Sequence, residues 1–352
     1  MLHHYIKGRI EKSGVASYIK LNHAVRWVSY SEKTGKFSVT VKDLKTDTLS
    51  TSEFDNVIVA SGHFSTPNVP EFPGLTQFPG RVLHSHDFRS ADEFAGMNVL
   101  VIGASYSAED IGIQCQKYGA KSVTFSWRTR PMAFKWPERC KEVPLLTKVV
   151  GKTAHFKDGT TQEIDAVVLC TGYLHHFPFL EDTLRLKTRN RLYPPSLYKG
   201  IFWWGNPKLS YIGMQDQYYT FNMFDAQAWY ARDVILGRIK LPPPAEMAAD
   251  IAKWIALEEK VSNPFEAIDF QTEYVRDLLP ATDYPKLDVD MVSKLFKEWE
   301  HHKSEDIMTY RDRAFPSVLT GTVAPVHHTP WVQALDDSLE TFLATGPVSK
   351  VA

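Results

Sequence analysis

The sequence predicts an α/β protein in which one strand-rich unit is written twice, followed by a helical C-terminal region. Three observations carry this. The stretch DNVIVASGH, Asp55 to His63, returns in kind as DAVVLCTGY, Asp165 to Tyr173: an Asp, buried-type apolar residues, two small residues, a Gly and a ring. Each copy follows a stretch that alternates apolar and polar residues around a polar bend. Only the second copy has a strand, a Gly turn and a helix in front of it.

Taken in order, Tyr5 to Ser13 reads as a short helix and Ile19 to Val28 as a strand. KFSVTVKDLKTDTLSTSEF, from Lys36 to Phe54, has the period-two alternation of antiparallel strands. Val57-Ile-Val-Ala is a continuous apolar run, expected to be a strand buried on both faces as in a parallel sheet. NVLVIGASYSAEDIG, Asn98 to Gly112, runs as an apolar strand into Gly103 and then as a helix. Ile111, Cys115 and Tyr118 mark one face of that helix, and Gly119 closes it. SVTFSWRTRP is a further strand that ends at Arg128 and Arg130. KVVGKTAHFKDGTTQEI, from Lys148 to Ile164, is a second meander with Asp158-Gly159 as its turn, and Val167 to Cys170 a second buried strand. After Leu241-Pro-Pro-Pro244 the composition shifts to charged helix, beginning AEMAADIAKWIALEEKV.

Strand, tight turn, helix, strand and a charged reader form the order of a dinucleotide-binding βαβ unit. The G-x-G-x-x-G pattern is met as Gly103, Ser105 and Ala108, with one Gly and two other small residues. The helix N-terminus presents unpaired N–H groups to a pyrophosphate, and small residues let the backbone come close. Ser105 and Ser107 are candidate phosphate donors, although capping is the commoner role of Ser at such a place. An acidic ribose reader would bond the 2′-OH of NAD, whereas Arg accommodates the 2′-phosphate of NADP. Arg128, with Thr129 and Arg130 beside it, points to NADP; the plain alternative is a basic strand end on the surface. The first copy lacks any such opening, so it is expected to be an incomplete unit.

Composition excludes several function classes. The 352 residues suggest about two domains. With 40 basic against 41 acidic residues, no global field favours nucleic acid or an acidic membrane. Three cysteines without C-x-x-C argue against a zinc site, a redox dithiol or a disulfide framework, and fit the cytoplasm. No apolar run approaches the roughly 18 residues of a membrane span. The paired histidines His3-His4, His175-His176, His301-His302 and His327-His328 point apart in helix or strand, so polar surface or local hydrogen bonding is the reading for them rather than a metal.

Phe78, Gly80, His84 and Phe88 fit F-x-G-x-x-x-H-x-x-x-[YF], the identifying motif of flavin-containing monooxygenases, placed just before the second nucleotide fingerprint. WRTRPMAFKWP, LCTGYLHHFPFL and the aromatic YIGMQDQYYTFNMFDAQAWYARD strengthen the resemblance, which is to the bacterial trimethylamine-oxidising branch and runs over nearly the whole chain. The family's first G-x-G-x-x-G, acidic ribose reader and site Asn are not found in this sequence and would precede Met1. The resemblance implies two dinucleotide-binding, Rossmann-like domains of a flavoprotein: residues 1–77 a partial FAD domain, 78–175 the NADP domain, 176–241 the remainder of the FAD domain, and 242–352 a helical extension. It implies FAD and NADPH, O2, and an amine or sulfide substrate, with trimethylamine N-oxygenation through a flavin C4a-hydroperoxide. Such chemistry belongs to the cofactor, so no Ser-His-Asp or paired-carboxylate site is required. Tyr106 is then the candidate for lining the nicotinamide and oxygen-transfer region. By the same analogy Gln217 lies against the flavin and Val25 meets its adenine end. The rings between Trp203 and Tyr230 are either substrate-site lining or packed core. A non-catalytic NADP-binding remnant, or an inactive fragment, is the alternative. The C-terminal region is expected to pack on the nucleotide domains, to be the place for a homodimer contact, and to carry no chemistry.

Overall fold

The computed structural model describes residues 2–216 and 218–323. Helix α1 (Leu2–Ser13) leads to β1 (His23–Ser31), which starts later than its apolar pattern does because Asn22 turns the chain at φ 59°. β1, β2 (Lys36–Asp43) and β3 (Leu49–Phe54) form an antiparallel meander, with a bulge between Val25 and Trp27. β4 (Val57–Val59) follows, then the two-residue β5 (Thr66–Pro67) and β6 (Arg81–His84).

The central unit is β7 (Asn98–Ile102), α2 (Tyr106–Lys117), β8 (Ser122–Trp127) and β9 (Cys140–Pro144), then the meander β10 (Leu146–Val150), β11 (Thr153–Phe156) and β12 (Thr161–Glu163), then β13 (Ala166–Leu169). Five of these strands make a parallel sheet in the order β6-β13-β7-β8-β9. Alternate residues face opposite sides, as strand geometry requires. Val99, Val101, Val123, Phe125 and Val168 pack with Ile111 and Cys115 of α2 on one face. Leu100, Ile102, Val167 and Leu169 pack with Val149, Ala154 and Phe156 of the meander on the other. Asp158 and Gly159 turn β11 into β12, with Gly159 at φ 84° and the Asp158 carboxylate accepting from the Thr160 amide.

β14 (Tyr173–Leu174) pairs with β5, so the segments just after the two repeated stretches meet. β15 (Leu197–Tyr198), β16 (Phe202–Trp203) and β17 (Leu209–Tyr211) complete a sheet in the order β15-β16-β17-β4. One strand from the first 60 residues, β4, therefore shares a sheet with strands from 197–211, running parallel to β17. β4 departs from its expected burial on both faces. It is the edge of that sheet among the described residues, and Ile58 is 45% exposed.

The rest is helical: α3 (Thr220–Ile235), α4 (Pro244–Glu258), α5 (Pro264–Leu278) and α6 (Val289–Glu305). Their starts follow local rules. Asn263 accepts from the Glu266 amide ahead of Pro264, and Asp288 from that of Met291. Tyr219, Met223, Trp254, Ile268 and Tyr274 are buried between them. No helix among the described residues is long and apolar enough to cross a membrane. Cys115, Cys140 and Cys170 are free and buried.

Candidate functional site

The strand-to-helix turn after β7 has the features a bound phosphate needs. Gly103 lies at φ 143°, a conformation L side chains rarely adopt, and a Cβ there would sit 2.2 Å from the Cys170 carbonyl oxygen. Only Gly lets β7 and β13 close up beneath the turn. Ser105 is the N-cap, in extended conformation, yet its hydroxyl caps nothing. Its carbonyl instead accepts from the amides of Ala108 and Glu109 at 2.8 and 3.0 Å. The amides of Tyr106 and Ser107 are left for an anion at the positive end of α2. Ala108 is buried against the sheet, and Gly112 one turn on lets the Phe125 ring press against the helix. The turn thus fits a dinucleotide pyrophosphate.

Arg128 and Thr129 are exposed just beyond the end of β8. Arg128 makes no hydrogen bond or ion pair among the described residues, whereas Arg130 donates to the Ser262 carbonyl at 3.2 Å, tying this strand end to the start of α5. The two arginines that look alike in sequence differ: one is free for a ligand and one is structural.

Tyr106 is half-buried. Its ring meets Tyr218 edge-on at 6.2 Å. Burial pushes the Tyr106 phenol far above its ordinary value, so it stays neutral. The other face of the neighbourhood holds Lys303 of α6, only 3% exposed, with its ammonium 4.6 Å from the Tyr106 ring centroid. Phe134 and Trp299 complete an aromatic box around it at 5.3 and 5.5 Å. Two buried carboxylates neighbour the ammonium, Glu109 at 3.0 Å and Glu300 at 3.6 Å. Burial pushes the Glu109 carboxyl above the usual carboxylate range, against the pull of Lys303. Beside this cluster, Arg311 grips Asp110 of α2 through two nitrogens, and Ile113 packs with Ile307 and Tyr310.

The loop carrying Tyr218 is held by Gln271 of α5, whose side-chain oxygen accepts from the Tyr218 amide at 2.7 Å and whose nitrogen donates to the Asp216 carbonyl. Gln217 lies outside the described residues. Several of the surrounding rings are core: Tyr211, Tyr219 and Tyr230 are buried, with the Tyr219 hydroxyl on Thr272 at 2.6 Å. Val25 is exposed on β1 beside the bulge, with Trp27. Sequence reasoning missed Lys303 and Gln271, because each acts across the fold from a region that reads as plain charged helix.

The F-x-G-x-x-x-H stretch ties the two halves together. A Cβ at Gly80 would meet the Asp165 carbonyl oxygen at 2.2 Å, and Phe78 is buried. His84 accepts from the His86 amide through Nδ1, so its Nε2 carries the proton that bonds the Gly172 carbonyl at 3.0 Å. Nearby, His63 and His175 stack at 4.7 Å, nearly parallel. Burial lowers both pKa values, that of His175 to about 4. His175 is thus no mere surface residue. His301 is exposed and pairs with Glu305, while His302, half-buried, pairs with Glu298 and Glu305; the side chains of His3 and His4 and all of His327-His328 lie outside the described residues. Among the described residues no group of three or more metal-binding side chains gathers.

Comparison with known proteins identifies the family. The Flavin-binding monooxygenase-like family model matches residues 1–134 and 140–299. Trimethylamine monooxygenase of Methylocella silvestris is 65% identical over 97% of this chain and 76% of its own. That of Pelagibacter ubique is 59% identical over 97% and 77%. The crystal structure of Tmm from Pelagibacter sp. strain HTCC7211 superposes with a TM-score of 0.92 at 56% identity, covering 97% of this chain and 77% of that one. S-allyl-L-cysteine S-oxygenase from Allium sativum superposes with a TM-score of 0.74 at 26% identity over 88% and 72%. A βαβ turn shaped for a dinucleotide, the F-x-G-x-x-x-H motif at its door and a family match along most of the length lead to one conclusion: the chain belongs to the flavin-binding monooxygenase-like family and is a flavin-containing monooxygenase.

Proposed function

We propose that the chain oxygenates the nitrogen of a small tertiary amine, trimethylamine first, with NADPH and O2. One oxygen atom goes to the amine lone pair, the other leaves as water, and NADPH supplies the two electrons. The observation that carries this reading is the 65% identity, over 97% of the chain, to a protein named for trimethylamine. When bound, FAD supplies the oxygen-activating chemistry and NADPH the reducing equivalents.

The chain's own residues have the remaining work. The amides of Tyr106 and Ser107, with the hydroxyls of Ser105 and Ser107, would take the NADP pyrophosphate, while Gly103 and Ala108 let the backbone close on it. Arg128, with Thr129, would read the 2′-phosphate. Tyr106, half-buried and neutral, would line the nicotinamide side and keep water out. Gln217 and Val25 are assigned to the flavin by family resemblance. Residues 78–175 would be the NADP domain, 1–77 and 176–241 the pieces of the FAD domain, and 242–352 the helical extension, in a cytoplasmic enzyme with a homodimer contact as an option. A methylated amine suits such a site because its neutral form is apolar and its cation favours aromatic faces.

The test is NADPH consumption and N-oxide formation by the flavin-loaded protein, followed by absorbance and mass spectrometry, with dimethyl sulfide as the competing substrate. Amine-dependent N-oxide is expected in step with NADPH. Turnover only with the sulfide overturns the substrate, and NADPH consumption giving only hydrogen peroxide overturns the oxygenation.

A further inference from the structure

Lys303 is the most buried cation near the candidate site, and nothing in the oxygenation chemistry calls for it. Placing an ammonium and two carboxylates in a protein interior costs several kcal/mol per ion unless the geometry is well satisfied. Here Glu109 lies at ion-pair distance from Lys303, while one oxygen of Glu109 and one of Glu300 lack a well-formed hydrogen bond. An apolar residue would pack this space at lower cost, so a purely structural purpose explains the cluster poorly.

Its position is specific. Glu109 stands in the first turn of α2, three residues after Tyr106. Lys303 therefore holds that turn twice, by charge through Glu109 and by its ammonium against the Tyr106 ring. Such a cation–π contact strengthens when desolvated, and here the ammonium is almost wholly removed from water. Tyr106 in turn meets Tyr218, whose amide is fixed by Gln271. Both tyrosines are thus set by helices of the C-terminal region.

We infer that Lys303 is a positioning residue for the dinucleotide: its ammonium, between Glu109 and Glu300, orients the Tyr106 ring and the free amides beside it. The inference rests on the reading of this turn as the NADP site. The Glu109–Lys303–Glu300 cluster makes α6 part of the nucleotide-binding apparatus.

The experiment is a double-mutant cycle on the full chain. NADP+ binding is measured by calorimetry for wild type, Lys303→Met, Tyr106→Leu and the double variant, with thermal unfolding to establish folding. Lys303→Met is expected to weaken NADP+ roughly tenfold in the wild-type background and by less than about twofold with Tyr106→Leu, the non-additivity of side chains that act together. KM for NADPH should rise by the same factor while kcat holds, a split that a general packing defect would not give. Equal losses in both backgrounds, an unchanged NADP+ affinity, or a fall in kcat alone overturns the inference. If Lys303→Met does not fold, Lys303→Met with Glu109→Gln and Glu300→Gln removes the orphaned carboxylates and undergoes the same cycle. A wild-type chain that binds no NADP+ would instead sink the reading of the turn, which keeps the two failures apart.

Discussion

The repeated stretches DNVIVASGH and DAVVLCTGY make similar backbones and opposite surroundings. Each gives a short parallel strand and then a glycine in the left-handed region, Gly62 at φ 73° and Gly172 at φ 81°. But β13 lies between β6 and β7 with all four residues buried, whereas β4 pairs only with β17 among the described residues. The lesson concerns levels of structure. A run of apolar residues and a small-Gly ending specify the strand and its exit turn locally, while burial depends on which strands arrive on either side. The second copy has those neighbours in β6 and β7, with β7 opening its own βαβ unit.

The contrast can be attacked first at the element the second copy alone possesses. Gly103→Val forces a side chain into the Cys170 carbonyl and a disfavoured backbone angle. The expected cost is at least about 3 kcal/mol of stability, with NADP+ affinity down by at least about a hundredfold. A variant that unfolds and titrates like wild type would remove the turn from the site.

Arg128→Ala probes the far end of the same unit. Loss of one charge-assisted contact should weaken NADPH by on the order of 1.5–3 kcal/mol and leave NADH nearly unchanged. Equal losses for both nucleotides would return Arg128 to the plain surface role.

The two strands themselves give a paired comparison. Val168→Ala, in the centre of the sheet, is expected to cost about 2 kcal/mol in chemical unfolding. Ile58→Ala, at the corresponding place in β4, should cost less than about 1 kcal/mol although it deletes more carbon. Equal costs would show that β4 is as enclosed as β13.

A pH-dependent effect is expected where the two copies meet, at His63 and His175. A histidine whose folded pKa lies below its unfolded value opposes protonation. Stability is therefore complete above the unfolded value, near 6.5, and lost as pH falls toward the folded one, about 4 for His175. Between about pH 7 and pH 4.5, His175→Phe should flatten the decline in unfolding free energy by on the order of 1 kcal/mol, discounted because the ring is only partly buried. A variant with the same slope as wild type would exclude the pair as the acid-sensitive contact.

What the sequence disclosed follows the same division. NVLVIGASYSAEDIG announces its strand, turn and helix because every signal is local: β-branched residues, a Gly, a Ser cap, apolar spacing on one helix face. The start of β1 is not legible, because the apolar pattern of Ile19 to Leu21 gives no sign of the left-handed Asn22. Arg128 and Arg130 could not be told apart, since only the fold brings Ser262 to one of them. Lys303 looks like any surface lysine of a charged helix. Its burial exists only once α6 lies on α2, and nothing within α6 marks that face.

The three cysteines carry a consequence for chemical durability. An enzyme that activates O2 on a reduced flavin can leak peroxide, and thiolates are the groups peroxide attacks first. Cys115 and Cys140 are pushed up to about 12 by burial, and Cys170 is raised as well, so none offers a thiolate at neutral pH. Cys170 also supplies the carbonyl that Gly103 crosses, so sulfenic acid there would strain the turn proposed to receive the nucleotide. Native protein should resist iodoacetamide and millimolar peroxide alike until it is unfolded, and labelling of any cysteine at the rate of a free thiol would contradict this. The same packing that builds the central unit is expected to shield these thiols from peroxide.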